Sequence, residues 1–187
     1  MADWFPSDDP NDVFRSLRNA NFDQAKRSTD FFVEHLFDET RQMLTHPKRL
    51  PPFIDWVNNW TQENQENRWA AFEVTAVLTR ITTYLGTGQE PELFAPDLYD
   101  IIAGTLPCKS SEDEQLYWDV VAIACPQTNP FTNPVDGKWL WYASPTCPQD
   151  TFMTAMKGLV ICTLAMFRTF AEYKDVPPEQ LWDETFG

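Results

Sequence analysis

The stretch Asp150–Lys174, DTFMTAMKGLVICTLAMFRTFAEYK, decides the fold class. Phe152, Met156, Leu159, Thr163, Met166 and Phe170 recur at steps of three and four and mark one helical face. Val160, Leu164 and Phe167 mark a second face, so apolar residues surround the middle of the helix. A helix that is apolar all round is buried. The strongly apolar run is Gly158–Phe167, bounded by Lys157 and Arg168. That is far shorter than the ~18 residues a membrane span needs. The stretch therefore reads as the central helix of a protein core.

The remaining sequence supplies helices to pack against it. Phe22, Ala25, Thr29, Phe32, Leu36, Thr40 and Met43 keep the helical step, and Pro47 stops it. Upstream, Asp9 or Asn11 caps a separate short helix through Ala20. Pro51 and Pro52 open a helix with Phe53, Trp56, Val57 and Trp60 on its face. The polar stretch Thr61–Asn67 ends or links it. Ala71, Val74, Leu78, Ile81 and Leu85 form a further helix, for which Gly86 is the expected C-terminal cap. Its threonines and valines lower helix propensity, so packing must support it. Pro96 starts a short helix that Gly104 closes. Ser111-Glu112-Asp113-Glu114 reads as a capping box for a helix ending near Cys125. Pro177-Pro178-Glu179 opens a last short helix ending near Phe186.

Residues 126–149 differ in composition. They hold Pro126, Pro130, Pro134, Pro145 and Pro148, with only Asp136 and Lys138 charged. Asp136-Gly137 is a turn signal, and Lys138–Tyr142 can follow it as a short strand, which leaves room for a short β-hairpin. The fold expected is all-α: a compact bundle of about six or seven helices with an irregular Pro/Trp-rich insert before the long central helix. Residues 1–187 are read as a single helical domain, with 1–10 an acidic lead-in.

The chain has 187 residues and a net charge of −14, enough apolar material for a core, and few glycines. So acidic a chain repels nucleic-acid phosphates and anionic membranes, which argues against direct binding to either. Met1–Pro6 has no basic region and no apolar run, so an export leader is not indicated and a cytoplasmic location is expected. Cys108, Cys125, Cys147 and Cys162 are then reduced thiols. Separations of 17 and 22 residues among the first three match no close-paired zinc pattern.

Catalytic templates are missing. Gly86-Thr87-Gly88 lacks the rest of any phosphate-binding loop, and no Gly-x-Ser-x-Gly elbow occurs. His35 and Glu39 share a helix face, but a charged solvent face explains them better than a metal site. Glu63-x-x-Glu66 and Asp97-x-x-Asp100 have the helical spacing by which carboxylate pairs hold magnesium in hydrolases; surface acids produce the same spacing. No catalytic residue, metal ligand or cofactor is assigned.

Two features point to binding. Residues 86–125 carry eight acids against Lys109 alone, whereas residues 13–49 carry seven bases and five acids. Glu112, Asp113, Glu114, Asp97 and Asp100 are the candidate acidic patch for a basic protein partner, in the extreme as a nucleic-acid mimic. The aromatics Trp139, Trp141 and Tyr142 of the insert are candidate ligand or interface residues; in an extended chain the two tryptophans share a side and Tyr142 faces the other way. The alternatives are a small-molecule-binding protein or metal-dependent hydrolase with a pocket under the 126–149 loop, or a structural subunit of a larger assembly. Oligomeric state is not legible.

Overall fold

The computed structural model describes residues 10–87, 95–106, 109–124 and 141–187, with side chains over 26–86, 98–106, 109–124 and 141–187. Within them the chain is all-α and compact. The helices are α1 (Pro10–Met43), α2 (Leu50–Glu63), α3 (Gln65–Thr87), α4 (Ala95–Thr105), α5 (Ser111–Ala124), α6 (Gln149–Lys174) and α7 (Pro178–Phe186), with a 3-10 turn at Pro47–Arg49. No strand occurs among the described residues. Residues 1–9, the acidic lead-in without Pro10, lie outside them, as do Cys125 and residues 126–140 of the insert, which include the Asp136-Gly137 turn signal.

Several boundaries differ from the sequence reading, each for a local reason. The two expected N-terminal helices are one helix of 34 residues. Neither glycine nor proline occurs between Asn11 and His46, so nothing breaks the ladder. The break between α2 and α3 narrows to Asn64, whose extended backbone (φ −161°, ψ 166°) interrupts the helix. Its Oδ1 accepts from the Asn67 N–H at 2.8 Å and caps α3. The α5 cap is shifted by one residue. Ser110 Oγ accepts from the Asp113 N–H at 3.3 Å, and Asp113 Oδ2 accepts from the Lys109 N–H at 2.9 Å. Trp141–Ala143, the described end of the expected strand, is a helical turn.

At the C-terminus of α6, Asp175 takes a left-handed conformation, φ 54°. Its N–H bonds to Glu172 O and the Val176 N–H to Ala171 O, both at 3.1 Å, so the last carbonyls are satisfied.

α3 and α6 are the centre. Leu159, Cys162, Phe167 and most of their α6 neighbours are buried, as the opening stretch requires. By length and composition α6 could cross a membrane, yet its apolar residues are covered by protein. Thr75, Thr79, Thr82 and Thr83 of α3 are also buried. Thr79 Oγ1 lies 2.9 Å from Thr163 Oγ1 and 2.7 Å from Thr75 O, so its polarity is satisfied inside the helix pair. This is the packing that offsets the weak propensity of α3.

The pair runs parallel. Arg68 of α3 meets Gln149 of α6, Thr79 meets Leu159 and Thr163, and Gly86 meets Met166. α5 runs the same way, since Leu116 and Thr154 line one cleft and Val120 packs on Gly158. Ala124 at the end of α5 and Gln149 at the start of α6 therefore stand at opposite ends of this pair, about 20 Å apart along the 14 residues of α5. α1 lies beside α3, and α7 closes the far end. There Phe37, Phe167, Trp182 and Phe186 form one aromatic cluster, with Phe37 and Phe186 edge to face at 5.3 Å.

Gly86 is not a C-terminal cap. It lies within α3, where a Cβ would stand 2.5 Å from the backbone oxygen of Met166. Gly104 has open space around its missing Cβ. Gly86→Ala is expected to lose about 1–3 kcal/mol in denaturant unfolding, because backbone must give way. Gly104→Ala is expected to gain up to about 1 kcal/mol through helix propensity. Equal effects at the two positions would contradict the close approach of α3 and α6.

Candidate functional site

The first turns of α5 and α6 lie side by side because the helices are parallel and in register. The turn at 141–143 closes the third side. Between them is an open cleft of about 820 Å³. α5 lines it with Glu112, Asp113, Leu116 and Asp119, the connecting segment with Trp141, Tyr142 and Pro148, and α6 with Asp150 and Thr154. Four carboxylates and an indole thus face one space, and among the described residues no lysine or arginine lines it. Glu112 and Asp113 in α5, and Asp150 in α6, also sit in the first turn of their helices, where the helix dipole favours negative charge.

Asp119 forms the floor. It is 2% exposed, and its carboxylate accepts from Tyr142 Oη at 2.7 Å and from Gln115 Nε2 at 3.0 Å. Burial first, then this hydrogen bond to a carboxylate, push the Tyr142 phenol well above its ordinary pKa. The phenol therefore stays protonated and donates to Asp119 across the physiological range. Trp141, next in chain, is 40% exposed at the cleft wall.

The segment carrying these aromatics is tied to the start of α3. Gln65 Nε2 donates to Ala143 O at 2.5 Å. Arg68 Nη1 donates to Ser144 O at 2.8 Å, and Nη2 to Gln149 Oε1 at 3.2 Å. The guanidinium carbon sits 4.6 Å above the Phe152 ring. Arg68 is 6% exposed, and its Nε is buried without an acceptor. Burial lowers its pKa.

The residues expected from the sequence divide. Glu112, Asp113, Trp141 and Tyr142 come together in the cleft. Glu114 is exposed on α5 and Asp100 on α4, and neither lines it. The side chain of Asp97 and all of Trp139 lie outside the described residues. Tyr142 does not face away from Trp141, because a helical turn rather than a strand carries both.

Asp119 and Asp150 were missed as site residues. Glu112, Gln115 or Leu116, and Asp119 repeat at helical spacing, so the α5 half was legible. That Asp150 faces it depends on helix register.

The other candidates separate. Glu39 pairs with Arg49 at 2.8 Å, and His35 packs on Trp56 at 3.8 Å between ring centroids. Glu63 ends α2 while Glu66 opens α3, so they do not share one helix. Among the described residues no three His, Cys, Asp or Glu side chains are grouped to hold a metal. Cys147 and Cys162 are buried; Cys108 and Cys125 lie outside the described residues. Glu73, on α3 and away from the cleft, is a further perturbed group. Burial raises its carboxyl to about 7.

Tyr142→Phe removes a donor from a buried carboxylate and is expected to cost about 1–3 kcal/mol at pH 7. A phenol whose folded pKa is raised stabilises below its unfolded pKa and loses that contribution above about pH 10. The wild-type protein should therefore lose stability there, and Tyr142→Phe should flatten that alkaline loss in pH-dependent unfolding. Glu73 follows the same sign in a lower window: its folded state holds the proton more tightly, so stability falls as pH rises from about 4.5 to about 7. Glu73→Gln should gain about 1–2 kcal/mol at pH 8, allowing for solvent screening, and nothing at pH 4. A gain of the same size at both pH values would contradict this assignment.

Compared with protein-family models, with curated proteins and with solved structures, the chain matches none of them.

Proposed function

We propose that the protein is a non-enzymatic interaction module that docks a basic segment of a protein partner in the α5–α6 cleft. The observation that carries this reading is the convergence of Glu112, Asp113, Asp119 and Asp150 with the exposed indole of Trp141 on one concave surface. A cationic side chain entering there meets carboxylates on both helices and an aromatic face on the third side. Arginine suits the site better than lysine, because its planar fork pairs with carboxylates and stacks on rings. The overall charge of −14 adds long-range attraction for such a partner. A concave arrangement favours a basic side chain entering over carboxylates displayed outward in imitation of nucleic-acid phosphates. Reduced thiols in a cytoplasmic setting remain part of this proposal.

A second reading rests on the size of the same cleft. About 820 Å³ lies within the range of small-molecule sites, roughly 300–1,000 Å³. A small organic cation would use the same carboxylates and indole.

The test is titration with an acetylated, amidated tetra-arginine peptide, read by calorimetry at low and high salt. Binding should weaken as salt rises. Replacing Glu112 and Asp150 together by lysine should weaken it at least about tenfold. Replacing Glu114 and Asp100 together by lysine alters the net charge equally but leaves the cleft lining intact, and should have a small effect. Equal losses from the two pairs would reduce the interaction to net charge and remove the cleft assignment. Free arginine binding as tightly as the peptide would favour the small-cation reading.

A further inference from the structure

Arg68 lines no part of the cleft, yet it buries a charged side chain beside it. A buried guanidinium is expensive unless it is paired and hydrogen-bonded. Arg68 makes no ion pair with a carboxylate among the described residues, and its Nε is left without an acceptor. It also lies at the N-terminus of α6, through Gln149, where the helix dipole opposes a positive charge. Stability alone gives little reason for such an arrangement. Its two hydrogen bonds both go to one short segment: Ser144 O and Gln149 Oε1 bracket residues 145–148.

That segment has little regular structure of its own to hold it. Pro145 and Pro148 supply no N–H donors. Its upstream neighbours are Trp141 and Tyr142, its downstream neighbour is Asp150, and all three line the cleft. Gln65, one helical turn before Arg68 on α3, holds Ala143 O beside them. Gln149 in turn reaches α2, with Nε2 3.1 Å from both Asn58 Oδ1 and Thr61 Oγ1. α3 therefore fixes the third wall of the cleft from behind.

We infer that Arg68 is a positioning residue: its fork across Ser144 and Gln149 holds the Trp141–Gln149 wall against α5, so that the cleft keeps its shape. The inference rests on the cleft being the binding site only for its affinity readout. A second readout is independent of any ligand. Cys147 lies inside the clamped segment and is 2% exposed, whereas Cys162 is fully buried in the core. Loosening the wall alone exposes Cys147 and leaves Cys162 protected.

The control is Arg168, another part-buried arginine whose fork serves backbone: it donates to Leu44 O at 3.2 Å and to Met43 O at 2.8 Å, remote from the cleft. The full chain carrying Arg68→Met or Arg168→Met is treated with N-ethylmaleimide, and labelling is mapped by peptide mass spectrometry. Tetra-arginine affinity is measured on the same samples. Arg68→Met should raise the Cys147 labelling rate at least about tenfold relative to Cys162 and weaken the peptide by a similar factor, while Arg168→Met changes neither. Arg68→Lys keeps the charge without the fork and should show the same selective labelling; it replaces the methionine variant if that fails to fold. Cys147 and Cys162 labelled in parallel, or an unchanged Cys147, would overturn the inference. If the wild-type protein binds no peptide, the proposed function falls, and the labelling ratio still decides the role of Arg68.

Discussion

The close approach of α3 and α6 is the constraint on which the rest of the structure depends. Two helices can run side by side at short distance only where their facing side chains are small or can hydrogen-bond within the interface. Gly86 lies against the Met166 backbone, and the Thr79 and Thr163 hydroxyls meet at 2.9 Å. Threonine costs helix propensity in isolation, but here its methyl group packs while its hydroxyl returns to the helix backbone. The same residues that weaken α3 as an isolated helix fit it to this interface. The other helices are placed around that pair, with α1 beside α3, α5 beside α6 and α7 across their far end.

Direction matters as much as distance. Because α3, α5 and α6 run the same way, their N-terminal ends gather at one end of the molecule. N-terminal ends of helices attract acidic residues, since unpaired backbone N–H groups carry partial positive charge. Glu112, Asp113 and Asp150 are each favourable within their own helix, and the parallel register then brings them to one cleft. An antiparallel α5–α6 pair would have separated them by the length of a helix. Acidic character at the site thus arises from ordinary local preferences and becomes a collective property through topology.

The polar groups behind the cleft are less ordinary. Tyr142 and Asp119 bury a carboxylate under an aromatic wall, and Arg68 buries a cation behind it. A core built for stability alone would fill both places with apolar side chains. Tyr142 and Gln115 donate to Asp119, and Arg68 donates to Ser144 O and Gln149 Oε1, which fixes geometry on both sides of the Trp141–Gln149 segment. Hydrogen bonds from α3 and α5 therefore hold the wall in place, in addition to the turn bonds within it.

The sequence by itself determined the class of the fold and most helix positions. Apolar spacing of three and four across Asp150–Lys174, and prolines at 47, 51, 52 and 178, are local signals that packing did not override. It also singled out Glu112, Asp113, Trp141 and Tyr142. Where it failed, the deciding contact was distant. Gly86 reads as a cap until Met166 is placed against it, and Asp119 reads as surface acid until Tyr142 covers it. Asp150 joins Glu112 only because α5 and α6 are parallel, and Arg68 serves a loop 76 positions away in the chain. Periodicity reports which face of a helix is apolar. It carries no information about which helix lies opposite or in which direction that helix runs, and tertiary packing alone decides both.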